Sequence, residues 1–157
     1  MSTVELNLKD VSEFLNSRSR QVAESVQREV EYRASLASRE MKAASDFVLS
    51  GRRSGRVYMS PKFRAFYRAS AAGEPPAKRT GRFKSSWYST SYSRPASDKS
   101  VMIHSALKSS YVVGKVNLGG LLQHGSRHMA ARPYEDAVVE RALPKIEKIY
   151  KRPYKGR

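Results

Sequence analysis

Two histidines, His124 and His128, stand four residues apart, a spacing at which side chains on one face of a helix can share a metal ion. Gly125 lies between them and makes a sustained helix across the pair unfavourable. The chain contains no Cys, and the nearest carboxylates are Glu135 and Asp136. We therefore expect loop or interface histidines at these positions, and no metal site.

Other catalytic patterns are equally weak. The serines between Ser85 and Ser93 belong to no G-x-S-x-G elbow. The Gly119-Gly120 pair lacks the G-K-[ST] ending of a phosphate-binding loop. The sequence therefore predicts a protein that is not an enzyme and needs no cofactor. A metal-dependent hydrolase that uses both histidines stays as the enzymatic alternative.

The net positive charge of the chain lies entirely after residue 50. Residues 1–50 hold seven Lys/Arg and eight Asp/Glu, a sum of −1, whereas residues 51–157 hold 23 Lys/Arg and six Asp/Glu, a sum of +17. Such a field attracts nucleic acid or an acidic protein surface. No apolar run approaches the length of a membrane span, so we expect a soluble chain with no membrane partner.

Aromatic residues are interleaved with these cations between positions 52 and 92. They are Tyr58, Phe63, Phe66, Tyr67, Phe83, Trp87, Tyr88 and Tyr92. Such aromatics can stack on bases while the cations neutralise phosphates. They can equally form the core of a small sheet, and periodicity does not separate the two interpretations.

The elements that position these residues begin with a long helix. Apolar or small residues recur at helical spacing from Val11 to Val48, and no Pro or Gly precedes Gly51. Residues 10–49 are therefore predicted to be helical, with a length of roughly 60 Å. A compact domain of this chain length is only roughly 40 Å across. We expect the helix to break near Ser17–Arg20, or to project and pack on another subunit; the simpler alternative is an amphipathic helix on its own sheet.

The remainder predicts a small sheet and a second helix in one domain, residues 1–157. Residues 50–82 form a basic linker and loop, 83–131 a sheet with loops, and 132–150 a C-terminal helix. Strands are expected at 83–92 and 101–107, with Tyr111–Val113 pairing back as a hairpin, and a short helix is expected from Ser60. The predicted apolar face of the last helix is Val139, Leu143, Ile146 and Ile149.

The predicted fold class is therefore α+β. It comprises a long N-terminal helix, a small, mostly antiparallel sheet of three to four strands and a C-terminal helix packed on the sheet.

The strongest local signal is the stretch 73–86, which reads GEPPAKRTGRFKSS. Its two prolines impose an extended path, and Gly73 and Gly81 permit turns. Four cations fall within seven residues: Lys78, Arg79, Arg82 and Lys84. The stretch is predicted to be an exposed basic loop at the start of the sheet.

Five sequence blocks, taken in order, resemble a known family. They are SGRVY at 54–58, YRASAAGEPPA at 67–77, TGRFKSS at 80–86, LLQHGS at 121–126 and MAARPY at 129–134. This order is similar to the neck, tail-completion or head–tail joining proteins (minor tail components) of long-tailed double-stranded DNA bacteriophages. The chain departs from that family's pattern at Phe83, Gln123-His124, Ala130 and Tyr134. The carboxylate lost at Gln123 puts in doubt any ion pair that the family makes there.

The resemblance implies a structural virion protein that forms a homo-oligomeric ring at the head–tail junction and lets DNA pass. Its implied partners are the head-closure or connector, tail-terminator and tail-tube proteins, with non-specific contact to genomic DNA in the lumen. It would be found in the virion, and in the host cytoplasm during assembly. The alternative is a small basic nucleic-acid-binding protein of the ribosome-associated type. The residues expected to dock are Gly73, Glu74, Pro75, Pro76, Lys78, Arg79, Thr80, Gly81, Arg82, Gln123, His124, Gly125, Met129, Arg132 and Pro133.

Overall fold

The computed structural model describes residues 8–60, 64–95 and 101–154. The elements in chain order are α1 (Leu8–Val48), β1 (Val57–Ser60), β2 (Ala65–Arg68), α2 (Arg82–Ser85), β3 (Trp87–Pro95), β4 (Val101–Ser109), β5 (Val112–Val113), β6 (Val116–Asn117), α3 (Leu118–His124) and α4 (Glu135–Tyr150). A long N-terminal helix, small antiparallel sheets and a C-terminal helix confirm the predicted α+β class.

Helix α1 is continuous from Leu8 to Val48, so the break considered near Ser17–Arg20 does not occur. Within the described residues, the second half of α1 packs on the rest of the chain, where Ala34, Ala37 and Ala44 are buried. Small side chains let α4 and the β3–β4 hairpin approach the helix closely, and Ser105 Oγ donates to the Ala34 carbonyl at 2.8 Å. Residues 12–24 are exposed, so the first half of α1 projects beyond the body.

The strands pair two by two and do not form one sheet of three to four strands. β3 and β4 make the longest hairpin, with Trp87 opposite Ser109 and Pro95 opposite Val101. The expectation that Tyr111–Val113 pairs back on this hairpin is wrong, because β5 pairs with β6. Gly114, at φ 63°, provides the turn between these two short strands. β5 therefore pairs with β6, the strand that follows it directly in sequence.

The helix expected from Ser60 is also wrong. β1 and β2 form an antiparallel hairpin, in which Tyr58 lies opposite Tyr67 and their rings stack with centroids 5.9 Å apart. Residues 57–59 and 65–67 are rich in the β-branched and aromatic types that favour paired strands. Phe63 lies outside the described residues.

The strand expected at 83–92 begins later than predicted. Residues Arg82–Ser85 form a short helical turn, and β3 starts at Trp87. The turn places Phe83 under Tyr134, with ring centroids 5.7 Å apart. Trp87 completes the cluster at 5.6 Å from Tyr134, and Leu49 and Leu122 are buried beside it. Burial, with the charge of Glu135, raises the pKa of Tyr134 to about 12.

The predicted apolar face of α4 is confirmed at its C-terminal end, where Ile149 is buried and Ile146 packs on the core, and is wrong at its N-terminal end. Val138, Ala142 and Ile149 are buried, whereas the predicted core residues Val139 and Leu143 are exposed. Ala142 and Val138 cluster with Ala44 of α1. The two smallest facing residues therefore set the rotation of the helix, and Val139 and Leu143 are left at its edge.

Candidate docking cleft

The carboxylate of Glu74 ties together two of the five sequence blocks, 54–58 and 67–77. It accepts hydrogen bonds from the Ser54 amide at 3.1 Å, the Ser54 hydroxyl at 2.5 Å and the Ala71 amide at 2.9 Å. Close by, the Gly73 amide donates to the Ala131 carbonyl at 3.1 Å. Blocks 54–58, 67–77 and 129–134 thus meet in one place, which we call the junction.

Arg132 adds the fourth block to the junction. Its guanidinium donates to the carbonyl and, at 2.5 Å, the hydroxyl of Ser70, and its amide donates to the Leu122 carbonyl at 2.7 Å. One guanidinium nitrogen of this predicted docking residue, Nη1, and its backbone amide therefore donate to its own chain. Arg132 positions the loop that precedes α4.

Gln123 caps helix α4. Its side-chain oxygen accepts from the amides of Tyr134 at 3.0 Å and Glu135 at 3.3 Å, and Tyr134, at the N-cap position, makes no side-chain cap bond of its own. Helix N-termini leave amides unpaired, and a side-chain oxygen is their usual partner. The amide of Gln123 supplies such an oxygen where the family pattern has a carboxylate.

Arg53 was missed by the sequence reasoning. It donates to the Val48 carbonyl at 2.7 Å, at the end of α1, and to the Pro76 carbonyl at 3.0 Å and 3.2 Å. Burial lowers the pKa of Arg53, and the nearby charge of Glu74 opposes that shift. A cation just after a helix end, where carbonyls lack amide partners, is the signal that indicates such a role.

The stability of the junction should depend on pH through Glu74. Hydrogen bonds from Ser54 and Ala71 lower the pKa of Glu74 from 4.5 to about 2. Because the folded-state pKa is the lower one, the carboxylate contributes stability above pH 4.5 that is lost as the pH falls towards 2. We expect Glu74→Gln to unfold at lower urea than the wild type at pH 6, and the two midpoints to converge near pH 2.

The control for this titration is Glu147→Gln. Glu147 is an exposed partner of Lys151 on α4, and its replacement should leave a small difference from the wild type. Equal urea midpoints for Glu74→Gln and the wild type at pH 6 would show that the carboxylate does not hold the junction.

A cleft of about 430 Å³ lies beside the junction. Its floor is apolar and consists of Leu49, Phe83, Leu118, Leu122 and Met129. Its rim carries Lys78, Arg79, Lys84 and Arg132. Seven residues expected to dock line this cleft: Pro76, Lys78, Arg79, Thr80, Gly81, Met129 and Arg132. An apolar floor under a cationic rim suits a segment that carries both apolar and acidic side chains.

The other predicted docking residues lie outside the cleft. Gly73, Glu74 and Pro75 belong to the junction and the chain that leaves it, and Gln123, Gly125 and Pro133 lie on the path from α3 to α4. Arg82 and His124 are exposed. The sequence blocks therefore separate into an internal junction and an adjacent open cleft.

Three of the four cations in the stretch 78–84, Lys78, Arg79 and Arg82, are exposed, and Lys84 is half-buried. Among the described residues, Lys78, Arg79, Arg82 and Lys84 take part in no ion pair. Arg79 stacks over the Tyr67 ring at 5.5 Å, and Lys84 donates to the Ser50 hydroxyl at 2.6 Å. Gly81, at φ 79°, turns the chain between these cations. Their field is free to attract carboxylates or phosphates.

A second surface lies on the β1–β2 hairpin. Met59 lies opposite Phe66 and Val57 opposite Arg68, so these four residues share one face, and all four are exposed. Arg64, at the end of the hairpin, is exposed as well. The aromatic residues interleaved with cations therefore fall into two groups. Phe83 and Trp87 pack against the core, whereas Phe66 is exposed to solvent beside arginines.

His124 and His128 are exposed in the described structure. Within residues 8–60, 64–95 and 101–154, no group of three His, Cys, Asp or Glu side chains is placed to hold a metal ion. In the same residues, no helix has both the length and the apolar character needed to cross a membrane.

Comparison of the chain with protein-family models, with curated proteins and with solved structures finds no match. The resemblance to phage neck proteins therefore depends on the five sequence blocks alone, and it stays a prediction.

Proposed function

We propose that this chain is a non-enzymatic structural protein of the neck of a long-tailed double-stranded DNA bacteriophage. Copies of it form a ring that joins the head or portal side to the tail and lets DNA pass. The observation that carries the proposal is the projecting first half of α1, in which apolar side chains stand in solvent. Such a helix gains most of its stability from packing, so it indicates a chain built to assemble.

The identity of the assembly comes from the sequence blocks. Four of them, up to about 80 residues apart in sequence, contact one another at the junction, and the fifth, 80–86, borders the cleft beside it. Contact between the blocks supports treating them as one structural motif, as the resemblance requires.

The cleft is the proposed contact for a neighbour in the neck. Its cationic rim and apolar floor suit an acidic, partly apolar segment of a head-closure, connector, tail-terminator or tail-tube protein. The unpaired cations Lys78, Arg79 and Arg82 can also make non-specific contacts with phosphates of the DNA in the lumen.

The proposal is tested by the mass of the purified chain in solution and by its presence in virions. We expect an oligomer in light scattering at 10–100 µM, weak DNA binding, and peptides of this chain in purified particles. A monomer that binds nucleic acid with nanomolar affinity at physiological salt, and is missing from particles, would overturn the proposal.

A nucleic-acid-binding protein is the second candidate, favoured by the exposed Phe66 between Arg64 and Arg68 on the β1–β2 hairpin. An exposed aromatic ring beside cations can stack on an unpaired base. This function predicts tight binding with a steep dependence on salt, lost on Phe66→Ala. The neck function predicts that Phe66→Ala leaves oligomer mass unchanged.

A further inference from the structure

The projecting half of α1, residues 11–28, is called the arm. Four large apolar side chains on it are 44% to 60% exposed: Phe14, Leu15, Val22 and Val26. Leu15, Val22 and Val26 follow one another at steps of seven and four, so they form a stripe along one face, and Arg18 falls on the same face. The arm therefore presents an apolar stripe that includes a cation.

A groove of about 440 Å³ lies at the other end of the same helix, between α1 and α4. It is lined mainly by apolar side chains, among them Met41, Leu107, Val138 and Ile146. Val139 and Leu143, at its edge, are exposed. The groove thus offers an apolar surface along α4.

The charges of arm and groove are complementary. Only six acidic residues follow position 50, and three of them, Glu135, Asp136 and Glu140, fall within the first six residues of α4. These three form no ion pair among the described residues, and neither does Arg18, the cation on the apolar stripe of the arm. Glu135 itself lines the groove. The acidic first turns of α4 are therefore complementary in charge to Arg18 on the stripe of the arm.

The groove also contains an unsatisfied donor. The indole N–H of Trp87 is buried and has no hydrogen-bond acceptor within the described part of the chain, and Trp87 lines the groove. A buried donor without an acceptor is unfavourable, so this wall of the groove is incompletely satisfied in the single chain.

The arm cannot reach the groove of its own chain. Leu15 and Met41 lie on the same continuous helix, 26 residues apart. At a rise of 1.5 Å per residue they are separated by about 39 Å. Because the arm and the groove are complementary but cannot meet within one chain, they can make contact only between two copies of the chain.

We propose that the arm of one copy lies in the groove of the next copy, head to tail. This inference rests on the proposed function, and it names the surfaces that make the ring. A head-to-tail contact of this kind produces a closed ring when the rotation between copies closes, and a filament when it does not. The occupant of the groove is therefore a second copy of this chain.

Two double variants and one control test the contact. The arm variant is Leu15→Gln with Val22→Gln, and the groove variant is Val139→Gln with Leu143→Gln. The control is Asn16→Gln with Ala23→Gln, which has the same spacing as the arm variant and lies on a neighbouring face of the arm. All six residues are exposed, so the variants should keep the circular dichroism and unfolding temperature of the wild type.

We expect the wild type and the control to be oligomers in light scattering, and each double variant alone to be a monomer. A mixture of the two variants should give dimers and nothing larger, because only one intact arm meets one intact groove. Trp87 is the only tryptophan, so its emission should change when the wild type assembles and when the two variants are mixed. The arm variant alone should show no concentration-dependent change.

Oligomers that persist in both double variants would overturn the inference and leave the ring proposal standing. Monomeric variants that fail to pair when mixed would overturn it as well, because they indicate an arm–arm contact or a foreign occupant. A wild type that is monomeric at 100 µM and absent from virions would overturn the proposed function and this inference together.

Discussion

Gly125→Ala should destabilise the folded chain by about 3 kcal/mol or more. Gly125 has φ 77° and ψ −170°, a backbone conformation that is essentially restricted to glycine. A Cβ at this position would lie 2.8 Å from both the Ala131 amide nitrogen and the Met129 carbonyl oxygen. Both contacts are with backbone, so the strain cannot be relieved by a change of side-chain rotamer.

The two matched controls are Gly120→Ala and Gly73→Ala. Gly120 lies in α3 with open space around its Cα, and its replacement should be neutral or stabilising by up to about 1 kcal/mol. Gly73 has φ 80° with nothing within 4 Å, so alanine there should cost about 1 kcal/mol from conformation alone. Urea unfolding at pH 7 measures all three. A midpoint for Gly125→Ala equal to that of Gly73→Ala would show that the close approach to Ala131 and Met129 relaxes freely.

The elements that the sequence predicted correctly are those with a long, regular pattern. The periodic apolar residues of α1 predicted a helix at 10–49, and the structure has Leu8–Val48. The apolar run from Val101 predicted a strand at 101–107, and the structure has β4 at Val101–Ser109. In each of these elements, the local conformational preference of the residues and the tertiary packing favour the same secondary structure.

The sequence predictions were wrong where two local arrangements of the chain were nearly equal in stability. The side chains at 138 and 142 and those at 139 and 143 are all apolar, and the first pair is the one that packs with the small Ala44 of α1. Two-residue strands such as β5 have no periodicity to detect, so pairing partners follow from the turn at Gly114. Sequence patterns do not encode such choices, because the deciding contact is distant or very short.

For the candidate docking cleft, the sequence predicted the exposed cations but not the internal contacts of the junction. The stretch 73–86 was interpreted as one exposed loop, but Glu74 and Pro76 hold the junction, while Lys78, Arg79 and Arg82 are exposed at or beside the cleft rim. Composition identified the cations, since a charged side chain without a partner faces solvent by default. It did not identify the internal role of Glu74, because one partner, Ser54, lies 20 residues away and the other is the backbone amide of Ala71, which no side-chain pattern marks.

Arg33→Ala should destabilise the chain by about 3–5 kcal/mol, because it removes the cation from a buried network. Arg33 is 3% exposed. Its guanidinium donates to Glu29 at 2.9 Å and to the carbonyls of Tyr150, Arg152 and Pro153 at 3.2, 2.7 and 2.9 Å. Alanine would leave a carboxylate and the carbonyls at the end of α4 without this donor.

Arg28→Ala is the matched control, because Arg28 lies on the same helix and pairs with the glutamate four residues before it, as Arg33 does. The Arg28–Glu24 pair is long, at 3.9 Å, and the two side chains are 76% and 70% exposed. Its loss should cost no more than about 0.5 kcal/mol. Urea unfolding compares the two variants, and amide hydrogen exchange at residues 150–154 should accelerate only in Arg33→Ala.

Equal unfolding midpoints for Arg33→Ala and Arg28→Ala would contradict the role of Arg33 as the residue that joins the end of α4 to α1. The comparison also locates the boundary between body and arm, since Arg28 is the last residue of the arm and Arg33 is the first arginine of the body. If Arg33→Ala frees the end of α4 but leaves α1 helical, the arm is a continuous extension of a helix fixed from residue 33 onward. Rigidity of that kind is what a head-to-tail contact needs, because a helix fixed at one end gives up little conformational entropy when its other end binds.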